Sequence, residues 1–221
     1  MKGNYTYRLL YEKGVNVRYI SQLDFVRVLN RTVRRSGLPV TYTVGFNPHP
    51  VMTVAAPIPV GTTSTYECID IDFDTKQDLA FLAAHMDKTF PEGIHVLEAK
   101  EVTEQSVPFR DIDSASYTVT VEYTGAAPDV DTFLTQSEIL IDKKTKKGIK
   151  EIDIKPDITE LKLLNATNGI CTFAMHLPCG NEKNIKPELV VQALEKYQPQ
   201  FHAECTLPHR TAVYAKGKLI F

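Results

Sequence analysis

Apolar and aromatic residues alternate with polar ones in several short stretches, and this period of two is typical of half-buried β-strands. In the first half of the chain the alternation predicts strands at 5–11, 15–19, 40–44, 51–56, 66–73 and 94–98. Glycine and proline residues separate these stretches, as expected for the turns between strands. The first half is therefore expected to contain a sheet with one face buried.

Two segments of this half instead repeat apolar residues with the period of an α-helix. The first begins at Ser21, which forms a capping-box variant with Asp24, and ends near Ser36 before Gly37 as the expected C-cap. The second covers 76–90. Strand, helix, strands, helix and strand follow one another in the order of a split βαβ, or ferredoxin-like, domain.

The same order recurs after a polar linker at 101–115. The patterns predict strands at 117–123, 138–141, 149–154, 158–164, 169–177, 202–207 and 211–214, and helices at 129–136 and 187–197. We therefore predict an α+β protein made of two tandem ferredoxin-like (split βαβ) domains. The N-terminal domain spans 1–103 and the C-terminal domain spans 114–221.

Composition narrows the function classes. The chain has 221 residues, a formal net charge of −2 and 24% charged residues, so anion binding has to come from local patches. No apolar run approaches the length of a membrane span of about 18 residues, and no secretory h-region opens the chain, so a cytoplasmic protein is expected. The four cysteines form no C-x-x-C pair and are expected to be reduced and mostly buried. No cofactor or metal motif is present.

An arginine-rich face is the clearest candidate site. At about 100° per residue, one side of the first helix carries Arg27, Arg31, Arg34 and Arg35, whereas the opposite side carries Phe25, Val26, Leu29 and Val33. Guanidinium groups are suited to bidentate phosphate contacts. Arg18, just before the helix, joins this candidate set. The alternative is a solvated charged face.

The GFNPHP segment follows this helix at 45–50. Asn47 and His49 each precede a proline, which favours an extended backbone and a fixed presentation of both side chains. Phe46, Asn47 and His49 are therefore candidate binding residues. His49 is also a candidate general base, because its ordinary pKa lies near neutrality. The alternative is a histidine that only anchors its own loop.

Basic residues of the second half form a weaker candidate set. The predicted hairpin carries Lys143, Lys144, Lys146, Lys147 and Lys150, and Arg210 follows later in the chain. Such a hairpin can contact a phosphate backbone without reading bases. The alternative is a solvated loop whose charges prevent edge-to-edge aggregation.

Three carboxylates, Asp70, Asp72 and Asp74, share one side of a predicted strand. They are a possible Mg²⁺ site by residue type, but no histidine or further motif accompanies them. A solvated face of the sheet is the preferred interpretation.

The motifs together resemble the radical SAM-linked protein family, a domain of unknown function designated DUF2344. The matching residues are YISQLD at 19–24, Arg27, Arg34, Arg35, GLP at 37–39, GFNPHP at 45–50, Pro57, PVG at 59–61 and Glu67, with KEIDIKP at 150–156 and HRT at 209–211. Gln22 stands where many members have His, and Val51 where Lys is common.

The resemblance implies a partner rather than a reaction. Family members are fused to, or encoded beside, a radical SAM protein with a cobalamin-binding-type domain, often near a ribonuclease of the E/G type. The chain lacks the C-x-x-x-C-x-x-C cluster motif and corresponds to the linked domain alone. Tandem ferredoxin-like domains also resemble the CRISPR-associated RAMP endoribonucleases, a likeness of fold only.

Three functions remain open. The preferred one is an RNA-binding accessory module that presents tRNA or rRNA to a radical SAM modification enzyme and is not an enzyme on its own. The second is a domain that docks on that radical SAM partner through 45–61 without contacting RNA. The third is a metal-independent endoribonuclease that uses His49.

Overall fold

A computed structural model of the chain describes residues 4–145 and 148–221. The chain divides into two compact units. One comprises the chain up to Asp111 together with Lys218–Phe221, and the other comprises Ile112–Gly217. Both units combine antiparallel strands with α-helices, four of which lie in the described residues, so the fold belongs to the α+β class.

The first unit is a sheet crossed by two helices. Its elements are β1 (Tyr5–Lys13), α1 (Gln22–Ser36), β2 (Met52–Val54), β3 (Thr63–Phe73), α2 (Leu79–Thr89) and β4 (Ile94–Glu101). The strands pair in the order β4-β1-β3-β2, and every neighbouring pair is antiparallel. Each helix therefore joins two strands that have a third strand between them.

The core of this unit lies between the sheet and the apolar sides of the helices. Phe25, Leu29 and Val33 of α1 are buried, as the helical pattern predicts. Phe25 stacks on Tyr11 of β1 with a ring separation of 5.8 Å. Burial of this face leaves the arginine side of α1 in solvent, because the two sides are opposite on the helix.

The second unit repeats this arrangement with an added hairpin. Its elements are β5 (Ser114–Gly125), α3 (Val130–Leu134), β6 (Leu140–Thr145), β7 (Gly148–Asp153), β8 (Glu160–Thr167), β9 (Ile170–Pro178), α4 (Pro187–Tyr197) and β10 (Phe201–Ala215). The order is β10-β5-β9-β8, again antiparallel. Strands β6 and β7 pair only with each other among the described strands. The short strand β11 (Lys218–Leu219), which follows in the chain, belongs to the first unit.

Three strand predictions are wrong. The segment predicted as a strand at 40–44 forms only isolated β-bridges, between Val40 and Phe73 and between Tyr42 and Pro50. The alternation at 15–19 forms a 3₁₀ turn at Val15–Val17, in which Val17 is buried while Val15 and Tyr19 are exposed. The strands predicted at 202–207 and 211–214 are one strand, β10, whose pairing with β5 continues past Pro208. The register of the β5–β10 pairing shifts at two β-bulges, between Ala203 and Cys205 and between Arg210 and Ala212. Such bulges are common in antiparallel sheets.

The prediction that three aspartates share a solvated face is correct for only one of them: Asp74 is exposed, whereas Asp72 is buried and Asp70 is half-buried. Arg8, with 1% of its side chain exposed, makes a bidentate pair with Asp70 at 2.7 and 2.8 Å. Its Nη1 atom also donates to the Val107 carbonyl oxygen, and the Phe109 ring lies 3.9 Å from its guanidinium carbon. Residues far along the chain therefore cover this face, and a partly buried ion pair replaces the expected water.

The cysteines have the predicted character. All four are free thiols, and Cys68, Cys171 and Cys179 are buried. Burial raises the pKa of Cys68 to about 12 and that of Cys171 to about 11. Neither is a thiolate nucleophile at neutral pH. Across the described part of the chain, no helix is both long and apolar enough to cross a membrane.

Candidate nucleic-acid interface

Helix α1 begins at a cap that also fixes its first arginine. The Ser21 hydroxyl oxygen accepts the Asp24 backbone N–H at 3.2 Å, and the same hydroxyl donates to an Asp24 carboxylate oxygen at 2.8 Å. Arg27 donates to the other Asp24 oxygen at 2.8 Å. The Asp24 carboxylate therefore joins the N-cap to the first guanidinium of the arginine side.

The hydrogen bond from Ser21 and then the hydrogen bond from Arg27 lower the pKa of Asp24 below its ordinary value of 3.8. We expect Ser21→Ala and Arg27→Ala each to raise this pKa toward 3.8. Because the folded pKa is the lower one, the carboxylate stabilises the folded state above the unfolded pKa. That contribution is lost as the pH falls through the folded pKa. A carboxyl NMR titration measures this, and an unchanged Asp24 pKa in Ser21→Ala would contradict it.

The far end of α1 turns one arginine away from the others. Gly37 ends the helix with φ of +64°, a left-handed conformation that glycine adopts without steric cost. Two residues earlier, the Arg35 Nη2 atom donates to the Thr89 carbonyl oxygen of α2 at 2.8 Å. Arg35 therefore remains on the exposed side of α1 but is held toward α2.

The GFNPHP segment forms the tip of a hairpin. Thr43 N–H donates to the His49 carbonyl oxygen at 2.9 Å, and Val51 N–H donates to the Thr41 carbonyl oxygen at 2.8 Å. Gly45, at the tip, has φ of +131°. Backbone hydrogen bonds therefore pair the two arms of the hairpin on both sides of Pro50.

His49 anchors this tip through one side of its ring. Its Nδ1 atom lies 3.1 Å from the Thr43 hydroxyl and 3.3 Å from the Asn47 carbonyl oxygen, and its backbone N–H donates to the same hydroxyl at 3.2 Å. The contacts of Nδ1 therefore agree with the interpretation that His49 anchors its own loop. The ring is exposed, and among the described residues Nε2 has no hydrogen-bond partner.

Helix α1 and the hairpin tip together form an open cavity of about 610 Å³, which we call the arginine cavity. It is lined by Arg27, Asn30, Arg31, Arg34, Phe46, Asn47, Pro48 and His49. The Arg34 Nη2 atom donates to the Pro48 carbonyl oxygen at 3.1 Å and joins the helix to the tip. The structure therefore brings together two candidate features that are separate in the sequence.

The charge of the arginine cavity is one-sided. Arg27, Arg31 and Arg34 are exposed and lie three and four positions apart, so their guanidinium groups share one side of the helix. None of the described residues that line the cavity is acidic. The nearest described carboxylate in the hydrogen-bond network is Asp24, which pairs with Arg27. Such an arrangement favours an anion with several oxygen acceptors.

Two lining residues, Asn30 and Pro48, were not in the candidate set. Asn30 follows Arg27 by three positions and precedes Arg34 by four, so the helical period alone places it on the arginine side. Its Nδ2 atom donates to the Val26 carbonyl oxygen at 2.8 Å. Pro48 contributes through its backbone carbonyl, for which no residue-type signal exists.

Other predicted residues lie elsewhere. Arg18 is half-buried, and its guanidinium carbon lies 4.8 Å from the centre of the Tyr19 ring. Lys143 and Lys144 belong to β6 and Lys150 to β7, in the second unit. Lys146 and Lys147 lie outside the residues that the structure describes.

The prediction that Arg210 adds to a binding surface is wrong. Only 1% of Arg210 is exposed, and its Nη1 atom lies 3.7 Å from the buried Cys179 sulfur. The side chain points into the second unit because its position in β10 faces the interior. An RNA or a protein partner has no access to this guanidinium.

The chain belongs to the bacterial family described as "Uncharacterized protein conserved in bacteria (DUF2344)", whose family model matches residues 6–187. No curated protein sequence matches the chain significantly. Within the described residues, no group of three or more His, Cys, Asp and Glu side chains is placed to hold a metal ion.

Among solved structures, a chain in the crystal structure of a Cbf5-Nop10-Gar1 complex is similar at 8% identity with a TM-score of 0.50. The match covers 95% of this chain and 48% of the other, so this chain spans about half the length of that protein. A dye-decolorizing protein from V. cholerae aligns at 8% identity over 98% of this chain and 94% of that chain, with a TM-score of 0.22. The first likeness concerns the fold alone.

Proposed function

We propose that the protein is an RNA-binding accessory module that works with a radical SAM enzyme acting on tRNA or rRNA. One observation carries the proposal: three exposed arginines and a rigid hairpin tip line one cavity, and its described lining contains no carboxylate. Guanidinium groups at this spacing fit successive phosphate oxygens of a nucleic-acid backbone.

We also propose that each unit is a ferredoxin-like domain and that the two form a tandem, RAMP-like arrangement. The orders β4-β1-β3-β2 and β10-β5-β9-β8 support this, because in both units each helix crosses over one intervening strand. In this proposal the β6–β7 hairpin is an insertion into the second domain.

A solvated helix face explains the arginine cavity less well. Solvated faces usually carry both signs of charge, which pair with each other along the helix. On α1 a single acidic residue, Asp24, accompanies the arginines, and it serves the N-cap as well. The hairpin also presents a large apolar ring, Phe46, beside the guanidinium groups, which solvation alone does not favour.

The lysine-rich hairpin is proposed as a second, sequence-independent contact to RNA. Lys150 on β7 is exposed, and strands β6 and β7 pair with each other as a separate two-stranded sheet. Ammonium groups on such a hairpin attract phosphates without selecting a base.

The radical SAM partner is proposed from the family motifs. The chain carries no C-x-x-x-C-x-x-C motif, and its described cysteines are free and mostly buried, so the radical chemistry would belong to a second protein. The accessory role supported by the arginine cavity is to hold RNA while that partner acts on it.

Binding of purified protein to total small RNA across a salt series tests the RNA proposal. If three arginines each neutralise one phosphate of a single strand, the logarithm of the association constant should fall with the logarithm of the salt concentration. The slope should be about −2 or steeper. We expect Arg31→Ala to make that slope shallower by about 0.7. Affinity that does not change with salt would contradict RNA binding.

The same samples distinguish the alternatives. Co-purification with the radical SAM partner that survives ribonuclease, together with no RNA binding, would favour the docking function through 45–61.

A second candidate, the endoribonuclease, is favoured by the free Nε2 atom of His49 beside three arginines. It requires RNA cleavage that resists EDTA and disappears in His49→Ala. Intact RNA after prolonged incubation would exclude it.

A further inference from the structure

We propose that the arginine cavity binds unpaired RNA, with Phe46 stacking on a base of the segment whose phosphates contact Arg31 and Arg34. This inference rests on the proposed function and deepens it by naming the class of RNA. It assigns a role to Phe46 that electrostatic binding alone would not require.

The first observation is the exposure of Phe46. Its side chain is fully exposed at the hairpin tip, although phenylalanine is among the residues most often buried. The tip carries the ring in solvent: Gly45 makes the turn, and backbone hydrogen bonds pair the two arms on both sides of Pro50. An aromatic ring held in solvent on a fixed backbone is preorganised for a flat apolar partner.

The second observation is that Phe46 lies beside cationic side chains. Phe46 lines the same cavity as Arg27, Arg31 and Arg34, and Arg34 is hydrogen-bonded to the hairpin two residues further along. The cavity volume of about 610 Å³ lies within the range of about 300–1,000 Å³ that is typical of small-ligand sites. Aromatic and cationic groups side by side match the two parts of a nucleotide, its base and its phosphate.

Duplex RNA offers no base face to Phe46. In an RNA helix both faces of every base are stacked on neighbouring pairs, so only base edges and backbone are accessible. A phenyl ring has no hydrogen-bond donor or acceptor with which to read an edge. Phe46 gains a stacking contact only from a base that is unpaired and turned out of the helix, as in loops, bulges and single-stranded ends.

We expect the protein to prefer unpaired RNA over duplex RNA and to discriminate little between base sequences. Every base has a stacking face, so Phe46 tolerates all four bases. Asn47, exposed beside Phe46 in the cavity lining, adds an amide that can donate to or accept from a base edge. Duplex RNA would keep only the phosphate contacts of the arginines and the lysine hairpin.

The experiment compares one RNA strand of about 12 nucleotides, within the site sizes of single-strand-binding domains, with the same strand annealed to its complement. Fluorescence anisotropy at one salt concentration measures the Kd of each for the full chain. We expect wild type to bind the single strand more tightly. We expect Phe46→Ala to weaken single-strand binding roughly five- to 100-fold while leaving duplex binding unchanged.

Two variants control for folding and apolar surface. Phe46→Tyr keeps the ring and should retain the single-strand preference. Val44→Ala removes another exposed apolar side chain from the same hairpin and should change neither Kd. Equal binding of single strand and duplex, or equal losses on both in Phe46→Ala, would overturn this inference while leaving salt-dependent RNA binding intact. Binding of neither RNA by wild type would overturn the proposed function itself.

Discussion

Replacement of Asp70 by asparagine is expected to lower the free energy of unfolding by about 3–5 kcal/mol. Asp70 is the carboxylate that neutralises Arg8, whose side chain is 1% exposed. The amide of asparagine keeps the size of the side chain but removes the charge that compensates the buried guanidinium of Arg8. A buried ion that loses its partner is among the few mechanisms that give so large an effect.

Urea unfolding of the full chain, followed by circular dichroism, measures this loss. Glu160→Gln provides the matched control, because Glu160 forms an exposed pair with Lys162 that should contribute less than about 1 kcal/mol. The double variant Arg8→Met/Asp70→Leu removes both charges and should recover much of the stability lost in Asp70→Asn. A loss in Asp70→Asn no greater than that in Glu160→Gln would show that the pair is not buried as described.

The double variant Arg31→Glu/Arg34→Glu is expected to lose RNA affinity by at least about 100-fold at about 0.1 M salt, since each lost charged hydrogen bond is worth about 1.5–3 kcal/mol and repulsion is added. Both side chains line the arginine cavity and are exposed. Their charge reversal changes the surface without removing any buried contact of α1. The Kd from filter binding or anisotropy measures the effect.

The matched control reverses two charges outside the arginine cavity. Arg35→Glu/Lys88→Glu changes the net charge equally, and both residues are exposed at the C-terminal ends of α1 and α2. We expect it to lower RNA affinity several-fold less than the cavity variant, through the general field alone. Equal losses in the two double variants would mean that net charge, and not the cavity, determines binding.

The amphipathic character of α1 could be predicted because it depends on local period alone. A period of 3.6 separates Phe25 and Leu29 from Arg27 and Arg31 whatever the rest of the chain does. A turn at the GFNPHP segment could likewise be predicted, because Gly45, Pro48 and Pro50 favour one. That α1 and the hairpin tip line one cavity depends on the path of the chain after Gly37, which no local pattern specifies.

The burial of Arg8 could not be predicted from the same kind of pattern. In β1 it alternates with Tyr7 and Leu9 and therefore reads as the solvent side of the strand. What covers it is Val107 and Phe109, about a hundred residues along the chain. Arg210 is a similar case, since its neighbour Cys179 lies on a different part of the second unit. Long-range cover of a polar strand position leaves no periodic signal.

Cross-linking of bound RNA to the full chain, with the attached peptides identified by mass spectrometry, tests the central claim most directly. We expect RNA bound at moderate salt to cross-link to the hairpin tip at 45–50 and to α1 at 27–34, with Phe46 as a principal site. We also expect these cross-links to weaken as the salt concentration rises. Cross-links confined to β6 and β7, or absent from both segments of the arginine cavity, would contradict it.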